Sequence, residues 1–261
     1  MIPQDMQTAC ALLYRHWADG TQFEALPAEL MPADRSEAYR VQALLENYSN
    51  VPLYGWKIAA TSVAGQRHIG VDGPLAGRIL AERVIADGRT CPLGNNLMKV
   101  AELEFAFKMG RDLPPRAEPY SQEEVLAAVE SLHPAIELPD SRFLHFERAG
   151  LAQLVADNAC GHRFVLGPAA TIDWRPLDLA GHKGRMFRNT AVAEDGIGSN
   201  VLGDPRIALT WLANELSAHG ETLRAGQVIT TGTCVKPVPI AQGDRLEGDL
   251  GVLGRVSVTI T

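Results

Sequence analysis

The sequence predicts an α+β protein, a helical N-terminal segment laid over a β-rich body. Three observations carry this. Over the first fifty residues apolar side chains recur at helical spacing. From Val51 onward short apolar runs alternate with glycine and proline. At the end of the chain, residues 245–250 and 255–260 flank Gly251-Val252-Leu253-Gly254 and read as a hairpin. The expected organisation is a helical cover over 1–50 and a β-rich body over 51–261, integrated as one domain.

The first helix is expected over 5–17, with Met6, Cys10, Leu13 and Trp17 inward and Gly20 as its stop. A second is expected over 34–47, with Ala38, Val41, Leu44 and Leu45 inward. Strands are expected over 55–60, 100–107, 135–138, 164–166 and 228–231. Ser121-Gln122-Glu123-Glu124 is a capping box, and the helix behind it must end before Pro134. Asp204-Pro205 supplies an N-cap and a first-turn proline, and Gly220 closes that helix.

Composition removes several classes of function. The 261 residues carry a net charge of −7 and are 46% hydrophobic. With no basic run, neither nucleic acid nor an anionic membrane surface is an expected partner. The apolar runs are too short to span a bilayer. Met1-Ile2-Pro3-Gln4-Asp5 lacks a basic segment followed by an apolar one. Four cysteines (Cys10, Cys91, Cys160 and Cys234) stand far apart, which suits reduced thiols in a cytoplasmic protein. No phosphate-binding glycine motif is present, so nucleotide binding has no support.

The chemistry is concentrated in a few residues. Glu102 and Glu104 lie two apart in the strand-like run Val100-Ala101-Glu102-Leu103-Glu104-Phe105, so both carboxylates point to one face. Side by side they repel, and each resists burial. One reading is an edge strand with a solvated acidic face. The other is a site for a hard cation, and Glu137, isolated in Pro134-Ala135-Ile136-Glu137-Leu138, would be its third ligand. Three carboxylates with open positions suit Mg²⁺ or Mn²⁺. Lys57, inside Gly55-Trp56-Lys57-Ile58-Ala59, either snorkels outward or is held inside by a counter-charge. If it is inside, it can stabilise an enolate or move a proton. Thr61, Asp157 and Cys160 are candidates for substrate binding. Covalent catalysis by Cys160 has no readable histidine partner. His68, His133, His145 and His162 are scattered and read as structural or exposed.

The order of these motifs resembles a known family. Gly55-Trp56-Lys57-Ile58, Gly70-Val71-Asp72-Gly73-Pro74, Glu102-x-Glu104, Pro134-Ala135-Ile136-Glu137 with Asp140-Ser141-Arg142, and Ala156-Asp157-Asn158-Ala159 follow one another as in the 2-keto-4-pentenoate hydratase group. That group includes the 4-oxalocrotonate decarboxylases and lies within the fumarylacetoacetate hydrolase superfamily. The resemblance implies a mixed β-roll with a helical N-terminal segment and a homo-oligomer. It also implies Mg²⁺ or Mn²⁺ on Glu102, Glu104 and Glu137, with Lys57 as the family lysine, and a 2-oxo acid or its dienol as substrate.

The chain also departs from that pattern. Hydratases of the group carry an acid after the Gly-Val-Asp stretch, where this chain reads Pro74-Leu75-Ala76-Gly77. Cys160 replaces the usual serine, and Met98-Lys99 replaces the usual proline and arginine. Asp72 is the acid left in this region and becomes the second catalytic candidate beside Lys57. The expected activity is a metal-dependent hydro-lyase on an unsaturated 2-oxo acid. The alternative is a decarboxylase, keto–enol tautomerase or C–C hydrolase on the same metal site. A 2-oxo acid binder without catalysis is the reading from another class.

Overall fold

Residues 1–261 are described by a computed structural model. Helix α1 (Pro3–Asp19) buries Met6, Cys10, Leu13 and Trp17 and ends at Gly20, whose φ of 63° is left-handed. Helix α2 (Arg35–Ala43) is capped by the Asp34 side chain, which accepts from the Glu37 N–H. It is shorter than the expected 34–47 because the chain tightens into a 3₁₀ turn over Leu44–Tyr48. Leu45 is buried there, whereas Leu44 is only half-buried.

The body follows as β1 (Gly55–Ala59), α3 (Val63–Ile69), β2 (Leu75–Ile79), β3 (Val84–Ala86), β4 (Thr90–Cys91) and β5 (Val100–Met109). Then come α4 (Gln122–Ala127), β6 (Val129–Leu138), α5 (Leu151–Ala156) and β7 (Arg163–Leu166). The chain closes with β8 (Lys183–Arg188), β9 (Ala191–Ile197), α6 (Pro205–Ala218), β10 (Val228–Thr233), β11 (Val238–Pro239), β12 (Arg245–Asp249) and β13 (Arg255–Ile260).

Both predicted caps form. Ser121 and Glu124 make the reciprocal capping box of α4, and Asp204 caps α6 with Pro205 at its start. The last two strands pair antiparallel as the expected hairpin. Two elements differ from expectation. Helix α4 is only six residues long, and β6 begins almost at once and runs ten residues through Pro134. The hairpin of β8 and β9, turned at Asn189 with φ 59°, lacked a clear sequence signal.

Two mixed sheets result. One runs β2-β1-β10-β5-β6-β7-β3 with β11 on the end of β5, and the other runs β4-β13-β12-β8-β9. Contacts are antiparallel except β1 with β10, β3 with β7, and β4 with β13. The main core joins both sheets and both N-terminal helices, and includes Trp17, Val41, Trp56, Phe105 and Val256. Each such side chain contributes about 1.5–3 kcal/mol by leaving water. No helix is long and apolar enough to cross a membrane.

The register of the first sheet assembles the acidic residues. Glu102 on β5 lies directly opposite Glu137 on β6, and Glu104 lies opposite Ala135. On the other side, Lys57 on β1 lies opposite Thr230 on β10 and Gly77 on β2.

Candidate metal centre

Glu102, Glu104 and Glu137 each offer one oxygen within 4.8 Å of the others. Period-two alternation puts Glu102 and Glu104 on one face of β5, and cross-strand pairing brings Glu137 beside them. Glu104 is fully buried and Glu137 nearly so, while Glu102 is half-buried. The acidic face therefore looks into the protein, not into bulk solvent.

Lys57 answers this charge. Its Nζ lies 3.1 Å from Glu137 Oε1 and donates to the Ala159 carbonyl at 2.8 Å. The lysine does not snorkel, since it is only 3% exposed. Burial alone would lower its pKa, yet Glu137, Glu102 and Glu104 outweigh burial and raise it, so the ammonium stays charged.

The carboxylates are held apart from their ordinary behaviour. Burial, then the charge of Glu137, pushes Glu102 up to about 7, with Lys57 pulling it back. Burial, then Glu137 and Glu102, raises Glu104 well above the usual range. Glu137 is raised by burial and opposed by Lys57.

One oxygen of Glu104 is fixed by the chain. Its Oε2 accepts from the Thr230 hydroxyl and from the Gly232 N–H at 2.7 Å. Gly232 has φ 95°, and a Cβ there would fall 2.1 Å from Thr61 Oγ1. Only glycine meets both demands. Thr61 is buried against this turn, on the margin of the carboxylate cluster.

The remaining oxygens show what the cluster lacks. Glu104 Oε1 and Glu137 Oε2 are buried with no hydrogen-bond partner. An unpartnered buried carboxylate oxygen is costly, and native proteins rarely leave one. A hard divalent cation satisfies both oxygens with the ligand chemistry that it prefers. The donor set is all oxygen and fits such an ion.

The turn after α5 presents the carbonyl that Lys57 uses. Asn158, Ala159 and Cys160 have φ of 57°, 50° and 60°, three consecutive left-handed residues that are not glycine. Each costs roughly 1–2 kcal/mol. Two buried side chains hold the turn. The Asn158 amide accepts from the Arg78 N–H at 2.6 Å and donates to the Arg78 carbonyl at 2.8 Å. Arg142 donates to the carbonyls of Asp140 and Gly161 and pairs with Asp157. Sequence reasoning assigned no role to Arg142, Thr230 or Gly232. Asp140-Ser141-Arg142 was visible as a motif, but its contacts are long-range.

Two predicted site residues take other places, and a third, Cys160, lies near Lys57 without being a nucleophile. Asp72, a catalytic candidate, is carried outward by the loop after α3. Its side chain is 89% exposed and lies 3.8 Å from Arg35, so it does not join the cluster. Asp157, a substrate-binding candidate, spends both oxygens on Arg142, its backbone N–H and the Ser141 hydroxyl. It braces the turn and has no oxygen free for a ligand. Cys160 is buried, and burial followed by the Asp157 charge pushes its thiol up to about 12. A neutral thiol is a poor nucleophile and a small apolar neighbour.

Leu75 is fully buried at the start of β2, opposite Ala59. Alternation with Gly77, the partner of Lys57, places it on the face that Lys57 occupies. An apolar side chain therefore stands at the border of the site.

Comparison with known proteins agrees with this geometry. The family description "Fumarylacetoacetate (FAA) hydrolase C-terminal" matches residues 81–261. The 2-keto-4-pentenoate hydratase 1 of Dechloromonas aromatica (strain RCB) is 33% identical over 254 residues, covering 96% of this chain and 95% of that protein. The 2-oxo-hept-4-ene-1,7-dioate hydratase of Escherichia coli is 30% identical, with 90% of each chain covered. Among solved structures, the 4-oxalocrotonate decarboxylase from Pseudomonas putida G7, complexed with magnesium and adipate, superposes with a TM-score of 0.90. Its sequence is 25% identical, and the match covers 100% of this chain and 99% of that one. The same decarboxylase is also known with calcium and acetate. Fold and sequence thus converge, and the chain belongs to the fumarylacetoacetate hydrolase family.

Proposed function

We propose that this protein is a metal-dependent hydro-lyase acting on an unsaturated 2-oxo acid or its dienol. The observation that carries the reading is the pair of orphaned oxygens, Glu104 Oε1 and Glu137 Oε2, beside a buried ammonium. Glu102, Glu104 and Glu137 would hold Mg²⁺ or Mn²⁺. Bound there, the cation would supply electrophilic polarisation of the 2-oxo acid. The names of the hydratase relatives and the magnesium in the decarboxylase structure support this.

The chain's own residues do the rest. Lys57 is kept charged by its carboxylate neighbours and fixed by Glu137 and the Ala159 carbonyl. It is the cation available to steady an enolate oxygen or pass a proton. Thr61 lies at the margin, where a substrate carboxylate would meet a hydroxyl. The apolar strand neighbours exclude water from Lys57, which strengthens its field.

Leu75 favours a second reading. With no acid on that stretch of β2, the relay for adding water is short of one group. Decarboxylation, keto–enol tautomerisation or C–C hydrolysis on the same site then competes. A panel of 2-oxo acids and dienols incubated with Mg²⁺, with products identified by NMR, separates these reactions. Hydrated product supports the first reading. Binding without turnover of any panel member would sink both. The same reading places the enzyme in the cytoplasm as a homo-oligomer, and its solution mass against that of one chain tests the assembly.

A further inference from the structure

A second cluster of charge lies behind the carboxylate site, and it is cationic. Arg83, His162 and Arg163 gather around Trp17 near the end of α1. The Arg83 guanidinium stacks on the Trp17 ring at 4.3 Å. Arg142 approaches the same ring at 5.1 Å, but its charge is answered by Asp157. Arg83 and Arg163 have no such partner. Arg163 reaches only the Glu82 carbonyl, at 3.5 Å, and its Nε is buried with no acceptor. Burial, then the charge of Arg163, lowers Arg83 to about 10, so the two cations press on each other.

His162 adds a third donor. The Trp17 Nε1–H donates to His162 Nδ1 at 2.9 Å, which leaves the imidazole proton on Nε2. Burial, then Arg142, Arg163 and Arg83, lowers its pKa to about 3, so the ring is neutral. The cluster therefore presents guanidinium and imidazole N–H groups and no acceptor of its own.

A cavity of about 280 Å³ opens beside these groups, between the end of α1 and the loops at 92–96 and 140–142. Its two acids do not neutralise the arginines. The Asp140 carboxylate accepts from the N–H groups of Leu97 and Met98 at 2.8 and 3.3 Å, and Asp19 is exposed on α1. On the inner side, Arg83, His162 and Arg163 also line a space of about 10 Å³ that reaches Lys57 and Glu137. It holds at most one water, so a larger ligand on the arginines does not reach the carboxylate cluster through it.

Unpaired guanidinium groups beside a cavity select ligands that bring acceptors and negative charge. We propose that Arg83, Arg163 and His162 form a binding site for a small oxyanion, a carboxylate or a tetrahedral sulfate- or phosphate-type group. The site is independent of the reaction carried out at the carboxylate cluster. It sits at the start of β7, beside the end of α1.

The test is calorimetric titration of the Mg²⁺-loaded protein with sodium sulfate and, separately, sodium acetate, at ionic strength fixed by sodium chloride. Saturable binding of one anion per chain is expected in Glu104→Gln, which has lost the carboxylate-site ion, and in the wild type in addition to any anion held by that ion. Tighter sulfate marks a tetrahedral ligand, and tighter acetate marks a carboxylate. Arg163→Gln and Arg83→Gln should each weaken binding at least tenfold, while Glu104→Gln should leave it unchanged. Equal affinity in wild type and Arg163→Gln overturns the proposal, as does the absence of saturable binding. Should either variant fold poorly, the wild-type protein labelled with ¹⁵N-arginine gives the answer. The Arg163 Nε–H resonance should shift with sulfate, and a static resonance at saturating sulfate overturns the site. A change of assembly size in Arg163→Gln with no anion bound to wild type would assign the cluster to a contact between copies, and would equally overturn it.

Discussion

Lys57 Nζ lies 3.1 Å from Glu137 Oε1, with both side chains at most 4% exposed. This pair sets the charge of the site. With all three carboxylates ionised, they and the ammonium leave two negative charges, the amount that one divalent cation cancels. The lysine is thus part of the ion's charge balance as well as a reactive group.

Replacing Lys57 by methionine keeps the stem volume and removes the charge. Turnover should fall at least a hundredfold with KM little changed, because the group acts on charge that develops in the transition state. Breaking a buried pair costs roughly 3–5 kcal/mol, so the urea midpoint of the metal-free variant should drop. A variant with wild-type kcat would reduce Lys57 to a structural counter-ion.

Glu104→Gln preserves an acceptor for Thr230 and Gly232 but removes a formal charge from the cluster. Metal-dependent activity should disappear while the fold survives. Mg²⁺ at a hundred times its Kd should stabilise the wild type by about 2.7 kcal/mol, and the variant hardly at all. Differential scanning calorimetry with and without Mg²⁺ reads both. Equal stabilisation of the two proteins would move the ion away from Glu104.

The pH dependence of the metal-free protein follows from Glu102. Its carboxyl rises from 4.5 to about 7 on folding, through burial first and Glu137 second. A raised carboxyl contributes stability that is fully present below its unfolded value and is lost as pH rises through the folded one. Between about pH 4.5 and 7 the wild type should therefore lose stability relative to Glu102→Gln, in chelator. Urea midpoints of both proteins at about pH 4.5 and pH 7.5, either side of the shift, decide this. An unchanged gap would mean that Glu102 titrates as it does in the unfolded chain.

Legibility in the sequence tracked how local each signal is. The Glu102–Glu104 face was readable because period two is a property of one strand. The helix caps at Ser121 and Asp204 were readable for the same reason. The length of β6 was hidden by Pro134, which argues against a central strand wherever it stands. The left-handed run at Asn158–Cys160 was not readable, since nothing in Ala159 or Cys160 favours positive φ. The turn exists because Arg142 and the backbone of Arg78 hold it from other parts of the chain. Asp72 misled for a related reason. Its motif is local, but its exposure depends on where the loop after α3 swings.

The last prediction concerns reaction type and rests on Leu75. This side chain is fully buried on the Lys57 face of β2, where the hydratase pattern has an acid. Adding water across a dienol needs one proton delivered and one removed, at two atoms. Enolisation at C3 needs a single base, with Lys57 steadying the oxygen. The wild-type protein should therefore exchange the C3 protons of a chelating 2-oxo acid faster than it hydrates a dienol. Deuterium wash-in followed by NMR measures the first rate, and loss of dienol absorbance measures the second. Leu75→Asp should raise hydration relative to exchange by about a hundredfold, the low end of the range for a positioned acid or base. It should also lower stability by about 1–3 kcal/mol, because the new carboxyl is buried without a partner. Efficient hydration of 2-hydroxypenta-2,4-dienoate by the wild type would refute this ordering. It would show that the proton reaches the substrate without any acid at position 75, and the plain hydratase reading would stand.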